Sequence, residues 1–195
     1  MLTIDFLRHG EPVGGIRYRG SGADDPLSEA GWEQMWTAVA DNPGWEQVVS
    51  SPMQRCRSFA EAYTTEHGLP LEIDERLREV GMGAWEGRSH EEVRASEPEL
   101  HAAYYCDPVQ HRPAGAEPLS EFVARVGAAL DALVARETGH FLVVAHAGVI
   151  RATLVHALGL PLASTQQVIT PYACLTRLEW RYGHVRLTAH NYRHL

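Results

Sequence analysis

The chain has 195 residues, 45% of them hydrophobic, enough for one globular unit with a full core. A formal charge of −8 argues against a non-specific nucleic-acid binder, and no apolar run approaches the roughly 18 residues that a membrane span needs. All 17 basic residues are arginine, which excludes P-loop, Schiff-base and other lysine-dependent chemistry.

The apolar run Leu2–Leu7 reads as a strand that stops at Arg8-His9-Gly10. Entering a strand this early leaves no room for a basic-then-apolar leader, so none is expected. A glycine-rich loop runs from Arg8 to Asp25, after which Ser28 is placed to cap a helix. Val48-Val49-Ser50 reads as a short buried strand. Ser51-Pro52-Met53-Gln54 then has the residue types of a capping box with proline at the first helical position. The helix it predicts carries Met53, Cys56, Ala60 and Tyr63 as its apolar stripe and closes at Gly68.

Leu71-Glu72-Ile73 forms a third strand pattern. Ser89-His90-Glu91-Glu92 is a second capping box and opens a helical insert to about Tyr105, with a proline-rich loop beyond it; the insert spans approximately residues 89–118. The next helix presents Phe122, Val126, Ala129, Leu130 and Leu133 on one face, and Gly139 is expected to end it. Phe141–Ala145 is a strand, Val149–Leu158 a helix, and the tail reads as a hairpin turning at Tyr182-Gly183. Alternating strands and helices predict an α/β fold: a three-layer αβα sandwich with a mostly parallel sheet, one antiparallel edge strand and a helical insert over the site. One domain over residues 1–195 is expected. Three widely spaced cysteines, Cys56, Cys106 and Cys174, point to a reducing compartment, hence the cytoplasm, and no disulfide framework.

Twice an apolar strand ends at a histidine and a glycine: Phe6-Leu7-Arg8-His9-Gly10, and Val143-Val144-Ala145-His146-Ala147-Gly148. Ligands of open α/β sheets lie beyond the carboxyl ends of the strands, so two histidines there, one beside an arginine, form a candidate anion site. Arg55, in the first turn of a helix after a strand, can face the same anion as that helix N-terminus.

Five motifs in order resemble the histidine phosphatase superfamily, which includes the cofactor-dependent phosphoglycerate mutases. They are Leu7–Glu11, Asp25–Gly31, Ser50–Arg55, Leu77–Gly81 with Trp85-Glu86-Gly87, and Val143–Arg151. The resemblance covers nearly the whole chain. It implies a phosphomonoester hydrolase that forms a phosphohistidine on a small phosphorylated metabolite. His9 is then the nucleophile, a neutral imidazole that attacks phosphorus. Arg8, Arg55 and His146 join His9 around the phosphoryl group, and Glu79 is the proton donor, chosen among the neighbouring Glu75, Glu86, Glu91 and Glu92 by the family match. Arg17 and Arg19 are candidates to reach the substrate beyond its phosphate, with an exposed loop tip as the rival reading. Glu117 resembles the family's glycine-glutamate pair near the site entrance. Pro12 and Gly15 stand where the family often has serine or threonine and asparagine, so one side-chain donor to the phosphate is expected to be missing.

Cys106 and Arg112 have the Cys-x5-Arg spacing of cysteine phosphatases. Pro108 removes an amide that such a phosphate loop needs, and no glycine relieves the turn. The eleven histidines form no metalloprotease-like pair, so neither a metal nor a cofactor is called for by the chemistry. Three other readings compete: a phosphoglycerate-type mutase, an α-ribazole-5′-phosphate phosphatase of cobalamin synthesis, and a catalytically silent phosphate-binding signalling module. The partner expected is a small phosphoester, with no nucleic acid and no membrane. The hairpin edge at Cys174–His190 also offers a surface for a homodimer.

Overall fold

Strand β1 (Leu2–Arg8) is buried on both sides, and the two sides serve different layers. Leu2, Ile4 and Phe6 pack with helices α5 (Leu119–Val134) and α6 (Ala147–Leu158). Leu7 faces the opposite layer, with α1 (Glu29–Ala38) and α2 (Gln54–His67). Strands β2 (Gln47–Ser50) and β4 (Gly139–Ala145) divide in the same way, Val49 and Val143 to one layer, Val48 and Val144 to the other. This period-two division between two apolar layers is what a buried parallel sheet requires.

The computed structural model describes residues 1–41 and 43–192. Its six-stranded sheet runs β3-β2-β4-β1-β5-β6, with β3 at Leu71–Ile73, β5 at Leu175–Arg181 and β6 at His184–Tyr192. The pairs β3–β2, β2–β4 and β4–β1 are parallel, whereas β1–β5 and β5–β6 are antiparallel. The antiparallel edge is thus a two-strand hairpin, turning at Tyr182 and Gly183, both with positive φ, as a tight right-twisted hairpin demands. No helix among the described residues is long and apolar enough to cross a membrane.

Asp5, fully buried in the middle of β1, is the fold's charged anchor. Arg177 donates to both its oxygens at 2.7 and 2.8 Å, Trp45 Nε1 and Tyr192 Oη donate at 2.8 and 2.9 Å, and His140 Nε2 lies at 2.8 Å. Burial alone would raise this carboxyl, but the bonds from Arg177, His140 and Trp45 outweigh it and bring the pKa down to about 2.

Two local expectations are corrected. The capping box at Ser51 does not form: α2 begins at Gln54 behind Met53, the Gln54 amide donates to Asp24 Oδ1 at 2.8 Å, and the Ser51 hydroxyl accepts from Met53 N and lies against His146. Gly139 does not end a helix either. The chain leaves α5 at Ala135, and Gly139 opens β4 with φ 121°, a conformation that favours glycine. Elsewhere the caps are where the residue types put them: Ser28 accepts from Gly31 N, and Gly68 closes α2 in the left-handed region. Ser89 and Glu92 form a reciprocal capping box that opens the insert. The insert is two helices, α3 (His90–Ser96) and α4 (Pro98–Cys106). Its own small core of Tyr18, Met82, Trp85, Val93 and Tyr104 holds it over the carboxyl ends of the strands.

Candidate active site

The neighbouring strands β2, β4 and β1 deliver their ends to one rim. His9 N donates to Ala145 O at 2.9 Å and Ser51 N to Val144 O at 3.0 Å, which stitches the three exits together. His9 and His146 therefore emerge side by side, ring centroids 5.2 Å apart in an edge arrangement. Gly10 and Gly31 let the first loop lie against the start of α1: a Cβ on Gly10 would meet Gly31 O at 2.1 Å.

His9 Nδ1 lies 2.7 Å from Gly10 O. A carbonyl oxygen accepts only, so Nδ1 carries the proton and the Nε2 lone pair is left to act. His9 is 5% exposed and His146 fully buried. Burial first, then the positive charges of Arg55 and Arg8, hold the His9 pKa well below its ordinary value. Burial and Arg55 do the same to His146. Both imidazoles are consequently neutral near pH 7, the state a nucleophile needs. His146 Nε2 is 2.7 Å from Ser51 Oγ, which also accepts from Met53 N.

Arg55, 1% exposed, donates to Ala23 O at 2.9 Å and Gly20 O at 3.2 Å, so the glycine-rich loop fixes it on the rim. Arg8 donates to Thr170 O at 2.5 Å and stacks 4.1 Å over the Tyr172 ring. The buried Nε of each arginine is left without a hydrogen-bond partner. Such donors, carrying charge and unsatisfied, define an anion site.

Glu79 reaches the same cavity from the segment before the insert. Its carboxylate accepts from Val80 N at 2.9 Å and from Gly148 N, in the first turn of α6, at 3.2 Å. Gly148 is required there, since a Cβ would stand 2.2 Å from Glu79 Oε1. The cavity these groups line measures about 410 Å³, within the usual range of small-molecule sites.

Arg8, His9, Arg55, Glu79 and Gly148 all line that cavity, with the buried His146 ring directly behind His9. Arg17 and Arg19 line it too. Arg17 is exposed and donates to Gly14 O and Gly87 O, whereas Arg19 is no loop tip: it is buried and paired with Asp25 at 2.9 Å. Glu117 is a correction. It lies outside the cavity, where Arg125 grips both its oxygens at 2.7 and 2.9 Å and Gly81 N donates to it. Arg125 also donates to Glu79 O, so Glu117 braces the Glu79 segment from behind instead of meeting substrate. Pro12 and Gly15 serve the loop itself, one bridging Leu27 and the other accepting from Arg19 through its carbonyl.

Four cavity or rim residues escape sequence reasoning. Ser51 and Arg151 fall within the motifs, but nothing in their spacing distinguishes them. Tyr172 comes from the stretch before β5, and Arg112 reads from the sequence only as half of a coincidental Cys-x5-Arg spacing with Cys106, which ends exposed at the last turn of α4. His194, in the tail, lies outside the described residues.

A model of the histidine phosphatase superfamily (branch 1) matches residues 4–193. A bifunctional protein of Mycobacterium tuberculosis is 35% identical over 158 residues, 78% of this chain but 43% of that protein, so the chain spans under half the length of that relative. The adenosylcobalamin/α-ribazole phosphatase of Salmonella typhimurium is 27% identical over 196 residues, covering 98% of this chain and 97% of that one. The structure of mycobacterial glucosyl-3-phosphoglycerate phosphatase, in complex with VO3, superposes with a TM-score of 0.88 at 30% identity, over 98% of this chain and 99% of that chain.

Proposed function

Since the chain belongs to the histidine phosphatase superfamily, we propose that it is a phosphomonoesterase acting on a small phosphorylated metabolite through a phosphohistidine at His9. The Nε2 lone pair attacks phosphorus and the ester P–O bond breaks. Glu79 gives its proton to the departing alkoxide, and the alcohol leaves. Water then attacks the phosphorus of the phosphohistidine and loses a proton to the Glu79 carboxylate, and the P–N bond breaks to release phosphate and neutral His9. Throughout, Nδ1–H remains on Gly10 O, and Arg8, Arg55 and His146 hold the phosphoryl oxygens. Phosphoryl transfer is mostly positioning and charge stabilisation, which is what two preset guanidinium groups beside a neutral imidazole supply.

The observation that carries this reading is the His9 Nδ1–Gly10 O bond, which aims an unprotonated nitrogen away from the backbone between Arg8 and Arg55. The test is rapid quench during turnover. Acid-labile, base-stable phosphate should be found on the wild type and be missing from His9→Ala, whose hydrolysis falls to background. Near-normal hydrolysis by His9→Ala rejects the mechanism. Measuring free phosphate against isomerised ester in the same reaction separates a phosphatase from a mutase.

A further inference from the structure

The chain carries a net charge of −8, yet its cavity is lined by six arginines and, among the described residues, one carboxylate, Glu79. Away from the cavity most arginines are matched, among them Arg57 with Glu61, Arg76 with Asp74, Arg125 with Glu117, Arg136 with Glu72 and Arg177 with Asp5. On the cavity only Arg19, with Asp25 at 2.9 Å, and Arg55, with Asp24 at 3.9 Å, have a carboxylate in reach among the described residues. Among the described residues no carboxylate lies within 4.0 Å of Arg8, Arg17, Arg112 or Arg151.

A phosphoryl dianion answers Arg8 and Arg55, and Arg19 already has Asp25. Arg112 and Arg151 are left over. Both are half-buried, and each has a buried Nε without a hydrogen-bond partner. Arg112, which donates to Gly81 O at 3.1 Å, and Arg151 line the cavity together with Tyr104 of α4, and both positive charges bear on the Tyr104 hydroxyl. Arg151 is also close enough to Arg8 to disfavour its charge, so this second group of donors adjoins the first. Holding partly desolvated guanidinium groups together without a counter-ion is unfavourable, and a ligand that brings the charge removes the penalty.

We infer that the substrate's leaving group carries a second anionic group, a carboxylate or a further phosphate, held by Arg112 and Arg151 on the wall that Tyr104 shares with them. The inference rests on the phosphomonoesterase reading and narrows it to doubly anionic esters. Both arginines have the planar fork that carboxylate and phosphate share, so two kinds of ester enter the test.

Glycerol 3-phosphate and 3-phosphoglycerate differ only in a hydroxymethyl against a carboxylate, and glycerol 1,3-bisphosphate adds the second phosphate. Wild-type kcat/KM should favour at least one charged ester over glycerol 3-phosphate by about 10- to 100-fold, the effect of a charge-assisted bond. In Arg112→Gln and Arg151→Gln that ratio should fall toward unity. Arg151→Lys, which keeps charge without the fork, should recover part of it. The ester that shows the preference identifies the anion. Equal kcat/KM in the wild type for glycerol 3-phosphate and for the two esters with a second anionic group overturns the inference, as does a loss shared equally by all three esters in the variants. No phosphate from any ester, together with no phosphoenzyme, would instead strike the parent reading.

Discussion

Gly148 offers a substitution that leaves the helix intact and moves one functional group. It sits in the first turn of α6, its backbone is helical, and alanine there is favoured over glycine by about 1 kcal/mol. The added Cβ would stand 2.2 Å from Glu79 Oε1 and 3.1 Å from its Cδ, where ordinary contact begins at 3.4 Å. The obstructing atoms end a flexible side chain, so the carboxylate yields while the helix stays. The required shift is about 1.2 Å, and a misplacement of about 1 Å costs on the order of 100-fold in rate. The loss depends on the leaving group. An alkyl phosphate needs its alkoxide protonated, whereas the p-nitrophenolate of p-nitrophenyl phosphate departs unaided. Gly148→Ala should therefore lower kcat/KM, which reports the phosphorylation step alone, about 100-fold for an alkyl phosphate, hold that for p-nitrophenyl phosphate within about fivefold, and melt no lower than the wild type. Equal losses of kcat/KM on both substrates, or an alkyl kcat/KM within threefold of wild type, would refute the role given to Glu79.

Asp5 and Ser51 yield two further tests. The Asp5 pKa falls on folding from 3.8 to about 2, so its contribution is complete above about pH 4 and is lost as pH drops through 2. The shift corresponds to about 2 kcal/mol. Urea unfolding between pH 4 and pH 2 should show that decline in the wild type and a flatter curve in Asp5→Asn; parallel curves would contradict it. At neutral pH, Asp5→Ala leaves the half-buried Arg177 without its carboxylate and should cost about 3 kcal/mol. Ser51→Ala frees the His146 ring from its 2.7 Å contact and should reduce kcat about five- to tenfold, the rate equivalent of one ordinary hydrogen bond, with Ser51→Thr closer to wild type. An unchanged kcat in Ser51→Ala would show that packing alone orients His146.

How much of this molecule is legible in its sequence depends on how local each cause is. The strand runs before His9 and His146 declare themselves because a sheet covered on both faces needs apolar residues at most strand positions, and their register makes the histidines neighbours. Ser28, Gly68 and the Ser89–Glu92 pair act within one helical turn, so residue type suffices. Ser51 misleads for the same reason. Its position satisfies a local rule, but Asp24, 30 residues back in sequence, takes the Gln54 amide that a capping Ser51 would need. Glu117 misleads in reverse: its motif looks functional, and Arg125, eight residues on, claims the carboxylate. Arg112 and Arg151 belong to neither pattern. What sets them apart is the lack of a carboxylate beside them, and only the assembled chain shows which acids are within reach.

The two halves of the cavity consequently answer to different constraints. The histidine rim is built from strand ends stitched by backbone bonds on a sheet buried from both sides, and a shift there disturbs both principal cores. The distal wall belongs to the insert and the loop after it, held by the small core around Trp85. Substitutions in that satellite core perturb few of the packing contacts that fix His9 and His146. The chemistry can therefore stay fixed while the insert is altered to accept a different leaving group. The uncompensated arginines stand on both halves, Arg8 on β1 and Arg151 on α6 against Arg112 in the loop after α4. Their charge is set against the ligand's rather than against the fold's own acids, and low-dielectric walls focus the resulting field at the cavity mouth. A molecule whose surface is on balance negative thereby keeps one positive opening, and anionic esters are drawn to that opening and away from the rest of the surface.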